Sequence, residues 1–376
     1  MPLALASPFV SSRFSREGDG RGEDICHKSF LVYFRTTSKC VSKKYIFRDY
    51  LHFQFIFANM IKHRSAIFIV FIFFCFTGCD KYKMPVPAWN HITFLMTGDS
   101  EYHSPEDAER CEFVIQEMNN VAGKTRPYPG LEPIQNILGV LLAGDVTLNS
   151  TTGVSFSTPE FVQFVTQYGL NGNDGDLNYP VYEGYGNHDY FTNDSTEDQN
   201  WPLYGDKPVL DAIQSRHGSL FYSWNWGMFH IVNLNLYPGE TVQARSSLTY
   251  LQQDLAANVG NSGKPVIIYH HYGFDDFGLT WWTDAERQAY FNVIKNYNVI
   301  GIFSGHKHWP VFGSWNGFNV YTAPAANGRR AGYPGFLVVE INNDSIYVTE
   351  RGCPTYPTDK TWSWGTTDAR KVYLPH

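Results

Sequence analysis

Cysteine is scarce in the body of this chain. Of six in 376 residues, Cys26, Cys40, Cys75 and Cys79 fall near the start, and only Cys111 and Cys353 lie beyond. Two thiols exclude a disulfide framework or a thiolate metal cluster there. The sequence leaves open whether they pair or stay as buried thiols. The body also carries no G-x-S-x-G elbow, no Walker loop, no paired Cys motif and no internal repeat, so covalent Ser or Cys catalysis and P-loop chemistry find no support. Long apolar runs are missing too: Ala66–Phe76 counts eleven residues, too few to span a bilayer comfortably. Basic charge is in deficit. The chain holds 29 Lys and Arg against 36 Asp and Glu, and from Cys79 onward the balance is 18 against 31, a net of about −13. A surface that acidic does not attract nucleic-acid backbone.

Five short polar islands recur where apolar runs end: TGDSEYH from Thr97, AGDV from Ala143, GNHD from Gly186, HH at His270 and GHKH from Gly305. The runs before them are Ile92–Met96, Ile137–Ala143, Tyr179–Tyr185, Pro265–Tyr269 and Val299–Ser304. Runs apolar on both faces and separated by helical stretches read as buried strands of an α/β sheet, and ligands of such sheets sit beyond the carboxyl ends of the strands. Helices are expected over Pro105–Val121, Pro159–Tyr168, Ser246–Asn258 and Thr283–Tyr297, a hairpin over Leu220–Leu236, and three or four further strands over Val311–Thr349. Singly, each island has a plainer use. Asp99 and Asp145 could cap helices, Asn187 could serve a turn, and the histidines could be core or loop residues. Jointly, Asp, Asn and His delivered from successive strands suit Mn, Fe, Zn or Ni.

The ordered set resembles the calcineurin-like metallophosphoesterase superfamily over roughly Ile92 to Glu350, with GNHD and GHKH its most specific elements. The resemblance implies an α/β fold, a four-layer α/β/β/α sandwich of two mixed sheets flanked by helices. It also implies two divalent or trivalent metal ions and hydrolysis of phosphomonoesters or phosphodiesters, without distinguishing the two, by a hydroxide shared between the ions. By the same resemblance Asp145 bridges the ions, Asn187, His270 and His306 complete one shell, and Asp99 and His308 serve the other. His188 protonates the leaving oxygen or stabilises charge, with Asp189 orienting its ring. The first motif departs from the family's Asp-x-His: it reads Asp99, Ser100, Glu101, with a histidine only at His103. Glu101 occupies the ligand position and is favoured, while His103 needs a bulged backbone. A carboxylate there favours a harder ion such as Mn or Mg. Leu148 also replaces the usual polar residue three positions after Asp145. This irregularity keeps an alternative in view, a non-catalytic envelope lipoprotein using the fold as a binding module.

Residues 60–78 read as a lipoprotein signal peptide, with basic Lys62 to Arg64, the apolar core, and FTGC ending at Cys79. Cys79 is then the lipidated residue, and the protein is exported and anchored to a bacterial cell envelope. A plain signal or membrane anchor is the alternative. Residues 1–59 read as an over-extended start preceding Met60, 79–90 as a linker, 91–350 as the catalytic domain and 351–376 as a wrapping tail. The expected substrate is a phosphorylated small molecule, a nucleotide or a lipid headgroup. Arg216 and His217 could reach a phosphate or lie in a solvated loop, and Arg329 and Arg330 form a second such pair. Tyr272 and Trp309 are candidate substrate contacts among the aromatic residues Tyr102, Tyr190, Phe191, Phe274, Trp281 and Trp282 of the motif loops.

Overall fold

Strand β1 (His91–Thr97) is buried at every position but its first, which is what an apolar run covered on both faces requires. The computed structural model describes residues 91–148, 159–190, 208–239, 247–329, 332–342 and 344–374. The expected leader, Cys79, the linker, Phe191 and Arg330 lie outside them. Among the described residues no helix is long and apolar enough to cross a membrane.

The elements alternate as expected and then turn to strands. Helix α1 (Pro105–Asn120) opens with a reciprocal capping box between Ser104 and Asp107, with Pro105 in the first turn where its missing N–H costs nothing. Then come β2 (Ile137–Leu142), α2 (Glu160–Tyr168), β3 (Val181–Glu183), the single turn α3 (Asn187–Tyr190) and α4 (Pro208–His217). The hairpin β4 (Tyr222–Trp226) and β5 (Phe229–Asn233) leads through α5 (Leu248–Asn258) to β6 (Val266–Tyr269), α6 (Asp284–Ile294) and β7 (Val299–Ser304). The remaining strands are β8 (Val311–Trp315), β9 (Phe318–Thr322), β10 (Gly335–Asn342), β11 (Ser345–Gly352) and β12 (Ser363–Lys371).

Two six-stranded sheets result, ordered β12-β11-β10-β1-β2-β3 and β4-β5-β6-β7-β9-β8. In the first, β1, β2 and β3 run parallel; in the second, β5, β6, β7 and β9 do. Side chains alternate between two apolar layers. Phe94, Met96, Leu141, Ile231, Ile267, Tyr269, Phe303 and Leu337 meet between the sheets, with Phe94 5.7 Å from both Trp226 and Phe303, ring to ring. Leu95, Val140, Leu142, Val266 and Ile268 face the other way, in one cluster with Val114, Ile115 and Met118 of α1 and Tyr290 and Ile294 of α6. This is the expected four-layer sandwich. Emptying its centre by Phe94→Ala would cost about 3–5 kcal/mol.

The tail and the two cysteines take definite form here. The tail does not merely wrap: β12 pairs antiparallel with β11 along its length, and Arg351 lies 4.5 Å from the ring of Trp364. Its polar, half-exposed sequence is that of an edge strand with one solvated face, which hides the strand signal. Cys111 and Cys353 are both buried free thiols.

Candidate metal centre

The motif residues after β1, β2 and β7 leave their strands through left-handed turns. Asp99 (φ 53°), Glu101 (39°), Asp145 (50°), His306 (70°) and His308 (66°) make up five of the nine non-glycine residues with positive φ among those described. Such conformations cost on the order of 1 kcal/mol or more apiece, and they persist where function demands them. The loops curl into one another at glycines. A Cβ on Gly186 would lie 2.2 Å from Asp145 Oδ1, and one on Gly144, itself at φ +81°, would lie 2.5 Å from the Gly186 nitrogen.

Four atoms then converge. His271 Nε2 lies 3.0 Å from Asp145 Oδ2, 3.1 Å from Asn187 Oδ1 and 3.1 Å from His306 Nδ1. On the other flank of Asp145, His308 Nε2 lies 3.2 Å from Asp99 Oδ1 and 3.5 Å from Glu101 Oε1. All these side chains but Asn187 are buried. His271 Nδ1 faces the Ala143 carbonyl at 2.6 Å. An Nδ1–H donated there leaves Nε2 as a lone pair aimed into the cluster, the arrangement that orients metal-ligating histidines. Burial opposes charge on His271, but Asp145 and Asp99 prevail and lift its pKa to about 9. Burial likewise disfavours charge on Asp145, yet His271 and His188 hold it well below the usual carboxylate range. His306 Nε2 and His308 Nδ1 are buried without a hydrogen-bond partner. Three buried carboxylates and three imidazoles with no fixed cation among them fit metal ions by donor chemistry and by charge.

His270 stands outside this cluster. Along β6 the side chains alternate, Val266 and Ile268 toward the helices, Ile267 and Tyr269 between the sheets, so the next residue faces the helices and the one after it the loops. His270 therefore packs against Phe274, Trp282 and Tyr290, ring centroids 5.7–5.8 Å away. Burial there pushes its pKa down to about 3. The imidazole at the site is its neighbour, His271.

Other expected residues separate as cleanly. Glu101 points at the cluster, whereas His103 pairs with Glu160 through Nδ1 at 2.9 Å. His188 donates its backbone N–H to Asp145 Oδ1 at 2.8 Å. Its Nδ1 lies 2.8 Å from the Leu148 carbonyl, and its Nε2 faces Glu101 Oε1 at 3.8 Å. Asp189 does not orient that ring. Successive residues of a helical turn point about 100° apart, and Asp189 instead accepts from the Val146, Thr147 and Gly186 N–H groups and the Thr147 hydroxyl, tying two motif loops together. Burial and the Asp145 charge push its pKa up to about 7 against those N–H donors.

Arg216 and His217 sit in the last turn of α4, not in a loop. Arg216 pairs with Glu183 and donates to the Leu170 and Val181 carbonyls, and His217 stacks on Tyr222 at 3.6 Å. A buried carboxylate at the end of β3 needs a cation, and Arg216 serves that need. Trp309, next to His308, is 45% exposed and packs edge-on against Tyr333. Tyr272 is buried with its ring 4.7 Å from His306, and burial, then the Asp145 charge, hold its pKa well above the usual phenol range.

The family model for calcineurin-like phosphoesterases matches residues 92–310. The chain belongs to that family. Membership places it among metal-dependent phosphoesterases. Similar solved structures include a dimetal phosphatase from Danio rerio, 12% identical, covering 75% of this chain and 99% of that one at a TM-score of 0.49. GAP50 of Plasmodium, the anchor in the inner membrane complex, is 12% identical over 76% of this chain and 90% of that one, TM-score 0.48. Vacuolar protein sorting 29 from Cryptosporidium parvum is 11% identical over 75% and 98%, TM-score 0.35. No curated protein gives a match.

Proposed function

We propose that this chain hydrolyses phosphate esters at a centre of two divalent or trivalent ions. The observation that carries the reading is the meeting of Asp145, Asn187, His271 and His306 within 3.1 Å of the His271 Nε2 atom. Those four residues would hold one ion, and Asp99, Glu101 and His308 would hold the other, with Asp145 shared. When bound, such a pair supplies Lewis-acid charge to phosphoryl oxygens and makes water acidic enough to attack near neutral pH. Glu101 in place of an imidazole makes the second shell carboxylate-rich, which favours Mn or Mg there, while Fe, Zn, Ni or Mn suits the first.

His188 supplies the proton. Its Nδ1 is engaged by the Leu148 carbonyl, so Nε2 is the atom left to give a proton to the leaving oxygen. Reconstitution with Mn, Fe, Zn or Ni should load about two ions per chain and confer turnover on a panel of phosphomonoesters, phosphodiesters and nucleotides. His188→Gln should keep the ions and lose roughly 100-fold in turnover, least with nitrophenyl esters, whose leaving groups need little protonation. A wild-type chain that takes up no ion and turns over no ester would make this a binding module and not an enzyme.

The substrate class we propose is a phosphorylated small molecule, nucleotide or lipid headgroup, supported by the rings of Phe277 and Trp281 at 4.9 Å from His306. The envelope location is proposed from the leader sequence: export and a lipid on Cys79. Cys79→Ser should leave the membrane fraction or accumulate as precursor, and a processed, membrane-bound variant would sink the idea.

A further inference from the structure

The 272–282 loop covers His306 with aromatic rings, and two of those residues carry donors that make no hydrogen bond. Tyr272 is fully buried, and its hydroxyl makes no hydrogen bond; the Trp281 indole N–H, on a ring 5.5 Å from Tyr272, makes none either. The neighbouring Tyr237, with its ring 5.1 Å away, is different, since its hydroxyl donates to Glu286 at 3.1 Å. A buried hydroxyl without a partner carries its desolvation cost, which a ligand accepting from it would offset. The position of Tyr272 is set rigidly. Its backbone N–H donates to the Leu236 carbonyl at 3.0 Å, and His271, one residue before, is held by Asn235 and Leu236 carbonyls. The ring therefore sits between His306 and Tyr237, 4.7 Å from the first and 5.1 Å from the second.

We propose that the Tyr272 hydroxyl donates a hydrogen bond to a phosphoryl oxygen of the bound substrate, on the His306 side of the centre. The inference rests on the phosphoesterase reading and deepens it by assigning a substrate contact made by this loop. A phenol suits the task because it is an uncharged donor at neutral pH, able to reach an oxyanion beside carboxylates that would repel one. A second anionic side chain there would oppose phosphate binding. A lysine's strongly hydrated ammonium would need desolvation in this aromatic wall.

The test uses Tyr272→Phe and, as a control, Tyr237→Phe, both in the ion-loaded full chain with inorganic phosphate as probe, measured by calorimetry. Tyr272→Phe should weaken phosphate binding about tenfold or more, the usual loss for a hydrogen bond to a charged group. Its ion content should stay at the wild-type value, and the thermal midpoint of the ion-free protein should be unchanged or higher, because an unsatisfied hydroxyl has been removed. Tyr237→Phe should leave phosphate affinity unchanged. Ion uptake and turnover in wild type, with phosphate affinity in Tyr272→Phe within twofold of it, overturns the assignment while leaving the phosphoesterase reading intact. Reduced ion content in Tyr272→Phe overturns it as well, by giving the hydroxyl to the ions. A wild-type chain that binds neither ion nor phosphate removes both readings.

Discussion

Two buried histidine–aspartate contacts lie at opposite ends of the second sheet, and they differ in how completely they are closed. At the amino end of β5, His230 has both ring nitrogens engaged, Nε2 with Asp254 at 2.6 Å and Nδ1 with Asn225 at 3.0 Å. The other oxygen of Asp254 accepts from Ser223 and Asn258. Beyond the carboxyl end of β6, His271 faces Asp145 at 3.0 Å, but the surrounding His306 Nε2, His308 Nδ1 and Tyr272 hydroxyl have no hydrogen-bond partner. The first network satisfies itself and stabilises the fold. The second is satisfied only by something added. Residue type does not separate the two, since Ser223, His230 and Asp254 look like catalytic components on paper. The separation comes from whether every donor and acceptor is already used.

The comparison breaks hardest at the neighbouring pair His270 and His271. His271→Ala should abolish uptake of one ion and lower turnover by more than about 100-fold, a loss at least as large as that seen when residues supporting a metal ligand are changed. The ion-free chain should lose stability too, because Asp145 and Asp99 lose the imidazolium that offsets their charge. His270→Ala should separate the two effects: ion content and turnover per folded chain stay near wild type, while unfolding is easier by about 2–4 kcal/mol, as for a large buried side chain cut to alanine. Metal analysis alongside thermal unfolding decides it. Ion loss in His270→Ala with none in His271→Ala would return the ligand role to the first histidine.

The amount that was legible in sequence follows the same division. The five strands before the islands, the four-layer sandwich and the places of Asp99, Glu101, Asp145, Asn187, His306 and His308 were readable, because burial on both faces makes long apolar runs and metal chemistry restricts residue types. The choice of His271 was readable in principle, had the period-two alternation been carried from Val266 past the end of β6. Arg216 was not, since its partner Glu183 lies 33 positions away and only the fold makes them neighbours. Nor was the loop-tying role of Asp189 or the acceptor role of the Leu148 carbonyl toward His188, both of which depend on how one loop lies on another.

A smaller effect sharpens the open site internally. Glu101→Ala should weaken the second ion and spare the first, and Glu101→His should move metal preference from Mn toward Fe or Zn. His103→Ala should leave ion content unchanged, because its ring is given to Glu160. Titration of metal content against Mn and Zn reads both. Loss of an ion in His103→Ala with full occupancy in Glu101→Ala would reverse the assignment.

The smallest effect belongs to the closed network. The Asp254 pKa lies below the usual carboxylate range: burial raises it, but the His230 and Ser223 hydrogen bonds, the His230 charge and the Asn258 bond prevail. A carboxylate with a depressed folded pKa stabilises the fold above its unfolded value, near 3.9, and loses that contribution as pH falls through the folded value. The network should therefore contribute a constant amount at neutral pH and fade only in acid below about pH 4. Asp254→Asn should cost about 1.5–3 kcal/mol at pH 7, the range for hydrogen bonds to a charged group, and should flatten the acid limb of the stability curve. Ion content should not move. Denaturant unfolding at pH 7 and pH 3 tests both parts, and a variant that loses ions while keeping its stability would show that the two histidine–aspartate contacts had been assigned the wrong way round.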